Sequence, residues 1–314
     1  MKKLFIIPIV VGAALLTVGS VILAVGLTQA AKEESKTNEY VLEQDFHNFD
    51  IDLSTSDFEI KLLEGTNKKV VVKETEKQYH EVKIENDTLV VKQVDTRKWH
   101  ERLFSFNFGI NITIYLPEAN YSSFKMESST GHVYIPHSCS FDDFDLKLST
   151  GDVEIDCNVT NSMKIEASTG DMTLSNLDAK SVNLKASTGN VTLNKVNASE
   201  DITVDVSTGK VNMTDVKSKD MNVSTSTGRV VLNDVIVSNH IEIETGTGDV
   251  KLNDCDADTL KIKTDTGDVI GTLLTNKVFY VKTDTGKVEV PQSTTGGLCE
   301  IETDTGDIKL QIKA

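Results

Sequence analysis

The sequence predicts an all-β fold: a parallel β-helix or β-solenoid of about ten coils of 19–20 residues, with an irregular N-terminal β cap and one preceding transmembrane helix. Three observations lead to this prediction. A Thr-Gly step recurs ten times at spacings of 19 or 20 residues. Apolar and polar residues alternate on both sides of each step. An uncharged apolar stretch lies close to the N-terminus.

The apolar stretch, residues 4–27, predicts a transmembrane anchor. A spanning helix needs roughly 20 residues, and the core of a cleaved signal has roughly 7–15. Two lysines in residues 1–3 favour a cytoplasmic N-terminus and an extracellular C-terminal domain, linked through residues 28–42. The sequence therefore predicts a single-pass cell-membrane protein. A long cleaved signal ending near Ala30 is the alternative.

Residues 43–128 are expected to form irregular β coils or hairpins that cap the rod. Runs such as FDIDLSTSDFEI and INITIYLP alternate apolar with polar residues, as half-buried strands do. Ser56 lies in a Ser-Thr-Ser-Asp run that looks like a corner without its glycine. It precedes Gly131 by nearly four coil lengths. Beyond Phe144 the only aromatic residues are Phe279 and Tyr280, and bulky aromatics suit a cap better than thin coils.

Residues 129–314 contain the regular repeat. Each Thr-Gly step has an apolar residue two positions after its glycine, and from the third copy onward an apolar residue five positions before it. Period-2 alternation predicts two short strands per copy, and only stacked copies can bury their apolar faces. The glycines are Gly131, Gly151, Gly170, Gly189, Gly209, Gly228, Gly248, Gly267, Gly286 and Gly306.

The Thr-Gly steps are interpreted as structural corners, in which glycine turns the chain and threonines stack between coils. Substitution of an interior glycine, Gly209→Val, is expected to cost about 1–3 kcal/mol. The corners that define this interpretation are Thr188, Gly189, Thr208, Gly209, Thr227 and Gly228.

Composition argues against nucleic-acid binding. Acidic residues outnumber basic ones by 48 to 32, which gives a formal net charge of −16. Such a surface repels a phosphate backbone. Membrane contact is expected through the N-terminal helix instead.

The N-terminal span, the ITIYLP segment and the serial STGDV and DTGDV coils resemble the bacterial "putative adhesin" domain family over roughly residues 40–314. The resemblance implies a β-solenoid on the outer face of the membrane, in a domain of unknown function. Some Gram-positive members look like accessory parts of envelope-stress systems, so a Gram-positive source is expected. The family offers no catalytic residues to transfer.

No catalytic or cofactor-binding residue is predicted. The serine before each Thr-Gly step recurs in six copies without a recurring base, so a nucleophile is disfavoured. The corner leads into a strand, whereas phosphate loops lead into a helix. A calcium site is the weaker alternative to turn capping for a set of clustered carboxylates. These carboxylates are Asp265, Asp268, Asp284, Asp304 and Asp307.

Residues 94–109 are a candidate contact site for an anionic membrane or a partner groove, because basic and aromatic residues occur together there. A hairpin whose aromatics pack on the cap is the alternative. The candidate contact residues are Arg97, Lys98, Trp99, Arg102 and Phe104.

Four cysteines do not make a disulfide framework in a chain of this length, although a Cys139–Cys157 bridge stays open. The last coil, residues 298–312, is expected to leave an open strand edge for self-association or for capture of an envelope protein or surface ligand. The function predicted is therefore non-enzymatic binding or scaffolding at the cell envelope. A passive spacer and a calcium-binding solenoid are the alternatives.

Overall fold

The computed structural model describes residues 35–65, 67–98, 111–137 and 139–313. Across these residues the chain forms strands, turns and bends, and no helix occurs. The described part accordingly contains no helix long and apolar enough to cross a membrane. The predicted anchor at 4–27 lies outside the described residues.

The middle of the molecule is a parallel β-solenoid, as the repeat predicts. Equivalent residues of successive coils pair in register, for example Leu184 with Val204 and Thr188 with Thr208. The strands from the first full coil up to the C-terminal end are β8 (Ala119–Thr130), β9 (Val133–Ile135), β10 (Cys139–Thr150), β11 (Val153–Ile155), β12 (Asn158–Thr169), β13 (Met172–Thr188), β14 (Val191–Ala198), β15 (Asp201–Thr208), β16 (Val211–Thr227), β17 (Val230–Thr247), β18 (Val250–Cys255), β19 (Thr259–Thr266) and β20 (Val269–Leu273).

The glycine corners leave no room for a side chain. At Gly189 an added Cβ would lie 1.9 Å from the carbonyl oxygen of Gly170 in the neighbouring coil. The Gly189 amide donates a hydrogen bond of 3.0 Å to the carbonyl of Thr208 in the coil on the other side. Glycine is therefore required mainly because the stacked backbones approach one another closely, and its positive φ of 145° adds to the requirement.

A second corner lies six residues after the glycine in five successive coils and was not predicted. Its residue adopts the left-handed conformation with φ between 50° and 55°, where short polar residues are favoured over bulky ones. Four of the five are asparagine or aspartate, so the sequence did contain a weak signal. These residues are Asn176, Lys195, Asp215, Asp234 and Asp254.

The core is a narrow stack of columns of aliphatic side chains, with the aromatic residues concentrated at the N-terminal end. Phe124 stacks on Phe144 with ring centroids 4.7 Å apart. Towards the C-terminal end, the column three residues before the glycine changes from aliphatic residues to threonine. There Thr264 and Thr303 are buried and donate hydrogen bonds to glycine carbonyls of a neighbouring coil.

The N-terminal part forms a cap, as expected from its composition. Two of its strands, β2 and β3, form a coil whose Ser56 corner lies directly against Gly131. Ser56 precedes Gly131 by 75 residues but lies one coil from it and not four, because the strands within residues 68–95 and 111–116 lie on the far side of the Ser56 coil. The cap strands are β1 (Lys36–Leu42), β2 (Asn48–Thr55), β3 (Asp57–Leu62), β4 (Lys68–Glu74), β5 (Gln78–Glu85), β6 (Thr88–Asp95) and β7 (Asn111–Leu116).

Antiparallel strands close the N-terminal end of the rod. Strands β6 and β7 pair in parallel with β2 and β3 and form the outermost coil. Strand β5 then pairs antiparallel with β6, while β4 pairs antiparallel with β7 and with β1. The outer strands β1 and β5 each have a partner on one side only, but they belong to antiparallel pairs, so the parallel in-register stack ends here.

At the C-terminal end, the coils do not stack in chain order. The last strands are β21 (Lys277–Thr285), β22 (Val288–Glu289), β23 (Gly297–Thr305) and β24 (Ile308–Ile312). Strand β23 pairs with β19 on one side and with β21 on the other, and β24 lies likewise between β20 and β22. The final coil of the chain, formed by β23 and β24, therefore lies between the coil of β19 and β20 and the coil of β21 and β22.

The prediction that residues 298–312 form the open edge was therefore wrong. Strand β23 and the first two residues of β24 are paired on both sides, residues 310–312 are paired on the inner side, and the outermost coil is the one that turns at Gly286. We call the outer side of β21 and β22 the C-terminal edge. The second strand of this coil ends at Glu289, two residues before Pro291, which has no amide hydrogen for a strand ladder.

Candidate functional site

One face of the solenoid carries a column of alternating charges, formed by the residue four positions before each corner glycine. In a parallel in-register stack these residues lie about 4.8 Å apart, so like charges in succession would repel one another. From the first glycine corner to the C-terminal edge, the column reads Glu127, Lys147, Glu166, Lys185, Asp205, Ser224, Glu244, Lys263, Glu302 and Lys282.

The charge column gives a physical reason for the exchanged order of the last coils. In chain order Lys263 and Lys282 would be neighbours. The exchange places Glu302 between them, and its carboxylate lies 3.2 Å from Nζ of Lys282. We infer that electrostatic pairing in this column favours the observed stack. In the column after the glycine the exchange makes Asp268 and Asp307 neighbours, and there the Asp268 carboxylate accepts a hydrogen bond from the Asp307 amide.

A second column, directly after the glycine, uses carboxylates to bind the backbone. Asp268 accepts a hydrogen bond of 2.8 Å from the amide of Asp307, and Asp307 accepts one of 2.8 Å from the amide of Lys287. These contacts are turn capping between coils. The other carboxylates of the calcium alternative, Asp265, Asp284 and Asp304, are exposed at the corners. The described ranges contain no group of three or more His, Cys, Asp or Glu residues arranged to hold a metal ion.

The backbone at the C-terminal edge has no neighbouring coil. In the interior, each glycine amide donates to the adjacent coil's threonine carbonyl, as Gly306 does to Thr285 at 2.9 Å. The same pattern directs the amides of Gly286 and Val288 outwards. No backbone acceptor for these two amides is found in the part of the chain that the structure describes.

The apolar core is also uncovered at this edge. Val288 is 44% exposed, whereas the equivalent interior residue Val211 is fully buried. Tyr280, whose column faces outward in the other coils as well, is 65% exposed. Phe279 and Val281 pack against the core but stay partly accessible. An unpaired strand edge and an exposed apolar surface thus coincide in a single coil, and both features favour the addition of another strand.

The closed end contains a buried polar cluster instead of an exposed edge. The carboxylate of Glu74 accepts hydrogen bonds from Tyr40, at 3.0 Å, and from the backbone amide of His80, at 2.8 Å. Asn38 and the His80 ring contact the same carboxylate. Burial alone would raise the pKa of Glu74, but these hydrogen bonds together lower it. Burial lowers the pKa of His80 despite the nearby carboxylate. The cluster joins β1, β4 and β5.

Only part of the predicted contact site at 94–109 is described. Arg97 forms a two-point ion pair with Asp95, with both nitrogen–oxygen distances 2.9 Å, and its side chain is 9% exposed. Lys98 is also described and has interactions. Trp99, Arg102 and Phe104 lie outside the described residues. Contact with a membrane or partner at this segment stays a prediction.

The four cysteines are buried free thiols. Burial raises the pKa of Cys139 to about 12 and that of Cys255 to about 11, so thiolate chemistry is suppressed at neutral pH. The recurrent serines of the corners line a shallow groove of about 670 Å³ together with the charge column. No histidine is among the residues that line this groove.

These features define the class of protein as an all-β parallel solenoid of about ten turns. The chain belongs to the Toastrack DUF4097 family, whose model matches residues 46–203 and again residues 195–314. No curated protein matches the sequence.

Several solved structures share this fold at low sequence identity. A putative adhesin from Parabacteroides distasonis ATCC 8503 is 12% identical, with 76% of this chain and 98% of that chain covered at a TM-score of 0.53. A putative lipid binding protein from the same organism is 13% identical, with coverages of 89% and 98% and a TM-score of 0.46. A putative adhesin from Bacteroides fragilis NCTC 9343 is 13% identical, with coverages of 88% and 97% and a TM-score of 0.45. The first of these supports the fold, and none of the three is named as an enzyme.

Proposed function

We propose that this protein is a non-enzymatic binding or scaffolding module that is displayed outside the cell membrane. The observation that supports this function is the asymmetry of the rod, with a closed N-terminal end and an open C-terminal edge. The predicted anchor precedes the closed end in the sequence. Anchoring there would hold the closed end towards the membrane and leave the C-terminal edge available at a distance. The adhesin names of the structural neighbours agree with such a role.

The length of the rod suits this arrangement. The corners from Ser56 to Gly286 form a stack in which neighbours lie about 4.8 Å apart, which places the edge about 50 Å from the cap. A binding edge at the far end of a stiff rod would reach beyond the headgroup region. As an accessory of envelope-stress sensing, the same arrangement would present the edge to other envelope proteins. A passive spacer would have the rod but no bound partner.

Surface display is tested by adding a protease to intact cells that express the full chain. Display outside the membrane predicts degradation of the C-terminal domain while a cytoplasmic marker stays intact. Protection of the domain until the cells are lysed would contradict display.

Binding at the edge is tested by site-specific photo-crosslinking in intact cells. A photoreactive amino acid replaces Tyr280 at the C-terminal edge, and the matched control replaces Tyr134, which is 38% exposed on the side of a coil. The proposal predicts a discrete crosslinked species from position 280 and none from position 134. Equal or absent crosslinking at the two positions would favour the passive spacer.

A further inference from the structure

The C-terminal edge has the properties of a strand acceptor. It offers outward amides at Gly286 and Val288, and the uncovered end of an aliphatic core lies beside them. Strand addition satisfies both features at once, because a paired strand supplies carbonyl acceptors and its alternate side chains cover the core. An occupant is therefore expected to pair with β21 and β22 as two short strands that bend at the Gly286 corner.

The charge columns specify which strand fits. In the column four residues before the glycine, the edge residue is Lys282, which has Glu302 on its inner side and no coil on its outer side. In the column after the glycine, the edge residue is Lys287, whose inner neighbour is Asp307. Interior lysines in the first column, such as Lys147, lie between two acidic residues. Continuation of the first column therefore requires an acidic side chain next to Lys282. The second column does not alternate, since Lys210 and Arg229 are neighbours in it, but Lys287 adds a second positive charge to the edge.

We propose that the C-terminal edge binds an acidic segment of a partner protein that pairs with β21 and β22 and bends with them at the Gly286 corner, so that carboxylates five residues apart lie opposite Lys282 and Lys287. This inference rests on the proposed binding function and identifies the chemistry of its partner. A second copy of this chain fits less well, because its own C-terminal edge presents lysines and not the required carboxylates. At physiological ionic strength the Debye length is about 8 Å, so the local lysines dominate over the distant net charge.

The chain itself supplies a probe of this chemistry. Residues 297–313 already pair with the inner side of β21 and place Glu302 and Asp307 against the two lysines. A synthetic peptide of this sequence, with Cys299→Ser to prevent oxidation, presents the required carboxylates at the required spacing. The control peptide carries Glu302→Lys and Asp307→Lys in addition. Binding of either peptide to the full-length chain in detergent is measured by fluorescence anisotropy.

The expected result is saturable binding of the acidic peptide, with at least tenfold weaker binding of the control peptide. The chain variant Lys282→Glu/Lys287→Glu should lose at least tenfold in affinity for the acidic peptide and should prefer the control peptide. The matched chain variant Lys185→Glu/Lys210→Glu changes the same two columns inside the rod. It should bind the acidic peptide as the unmodified chain does, provided that circular dichroism shows it folded.

Equal binding of the two peptides, or an edge variant that binds like the unmodified chain, would overturn the proposal. Self-association of the full chain that is abolished by the edge substitutions would overturn it in favour of a second copy. Each of these results would reject the acidic partner without rejecting the proposed binding function. Crosslinking from position 280 in cells would then still show binding at the edge, by a partner of different chemistry.

Discussion

Each end of the rod has an outermost coil with a neighbouring coil on one side only. The two ends differ in whether other strands cover the free side. At the N-terminal end, antiparallel strands cover the outermost coil and a buried polar cluster around Glu74 joins them. At the C-terminal end, the outermost coil is uncovered and only β23 and β24 pair with it. The chain exchanges the order of its last two coils there but adds no hairpin.

The difference shows that exposure of the C-terminal edge is a property of this particular sequence and not of solenoids in general. The same chain closes one end with β1, β4 and β5, so a closing device is available within its own fold. Lysines and Pro291 at the other end limit uncontrolled pairing without covering the edge. A site that admits selected strands and resists indiscriminate aggregation needs this combination.

The largest effect is expected from Gly151→Ala, because both neighbouring coils of Gly151 are fixed. An added Cβ would lie 2.0 Å from the carbonyl oxygen of Gly131, and the resulting strain should lower the free energy of unfolding by about 3 kcal/mol.

In Gly286→Ala the clash with Gly306 is equally close, but the outermost coil can move away. We expect about 1 kcal/mol there, concentrated in β21. Urea unfolding and hydrogen exchange measure the two effects.

Gly65→Ala separates steric clash from backbone strain. Gly65 has a positive φ of 100°, but nothing lies within 4 Å of an added Cβ. Its cost is expected to be about 1 kcal/mol, from the backbone alone. If Gly151→Ala cost no more than Gly65→Ala, the close approach of the coils would not be the reason for glycine.

Glu74→Ala should destabilise the closed end by about 2–3 kcal/mol, because buried groups of Tyr40 and His80 lose their acceptor. The comparable substitution at the open end is Lys277→Met, since Lys277 is buried and lies 2.7 Å from Asp256. Asp256 keeps hydrogen bonds from Ala257 and Thr275, so about 1 kcal/mol is expected. Thermal melts measure both changes, and equal costs would remove this distinction between the ends.

Acidification should loosen the closed end first. Because the pKa of His80 is lowered in the folded state, the unfolded chain takes up a proton that the folded chain resists, and stability falls as the pH drops below the ordinary value of 6.5. The pKa of Glu74 is also lowered, so its contribution is present above pH 4.5 and is lost below it. No histidine occurs in residues 277–313.

The measurement is hydrogen exchange in β5 and β21 at pH 7.5 and pH 5.5, corrected for intrinsic rates. Protection should fall more in β5 than in β21, and His80→Gln should reduce that difference. A greater loss of protection in β21 would contradict the assignment of acid sensitivity to the cap.

The smallest effect is expected from Glu302→Lys, which would place three lysines in succession in the charge column. The substitution should cost about 0.5–1 kcal/mol at low salt, and added salt should reduce the cost. Glu127→Lys at the other end has Asp52 on one side and Lys147 on the other, so the new attraction to Asp52 offsets the new repulsion from Lys147 and almost no cost is expected. Equal, salt-independent costs would show that charge alternation does not select the coil order.

The periodicity of the sequence was sufficient to predict the solenoid, its corners and its thin aliphatic core. Periodicity could not predict the order of the coils, because ten similar copies align equally well in any order. The charges of individual residues distinguish the copies: in chain order the column contains adjacent lysines at Lys263 and Lys282, and that irregularity was the available signal for the exchange.

The closed end was predicted as a cap but not in detail. Its polar cluster brings together Tyr40, Glu74 and His80 from three strands, and no local pattern in the sequence connects them. Arg97 illustrates the same limit, because its basic character suggested an exposed contact whereas Asp95 pairs with it. An open strand edge at the C-terminal end of the rod was predicted. It was assigned to the last coil in the sequence, because the prediction assumed that the coils stack in chain order.

The exchanged coils also affect the order in which the chain can fold during synthesis. The stack can form coil by coil as far as Thr266. Strand β21 pairs with β23, so the coil of β21 cannot reach its final position until residues up to Lys313 have been synthesised. At about 5–20 residues per second, this wait lasts about 2–10 s. During that time the coil at Gly286 lacks its final neighbour, and the growing end of the rod is a transiently unpaired edge.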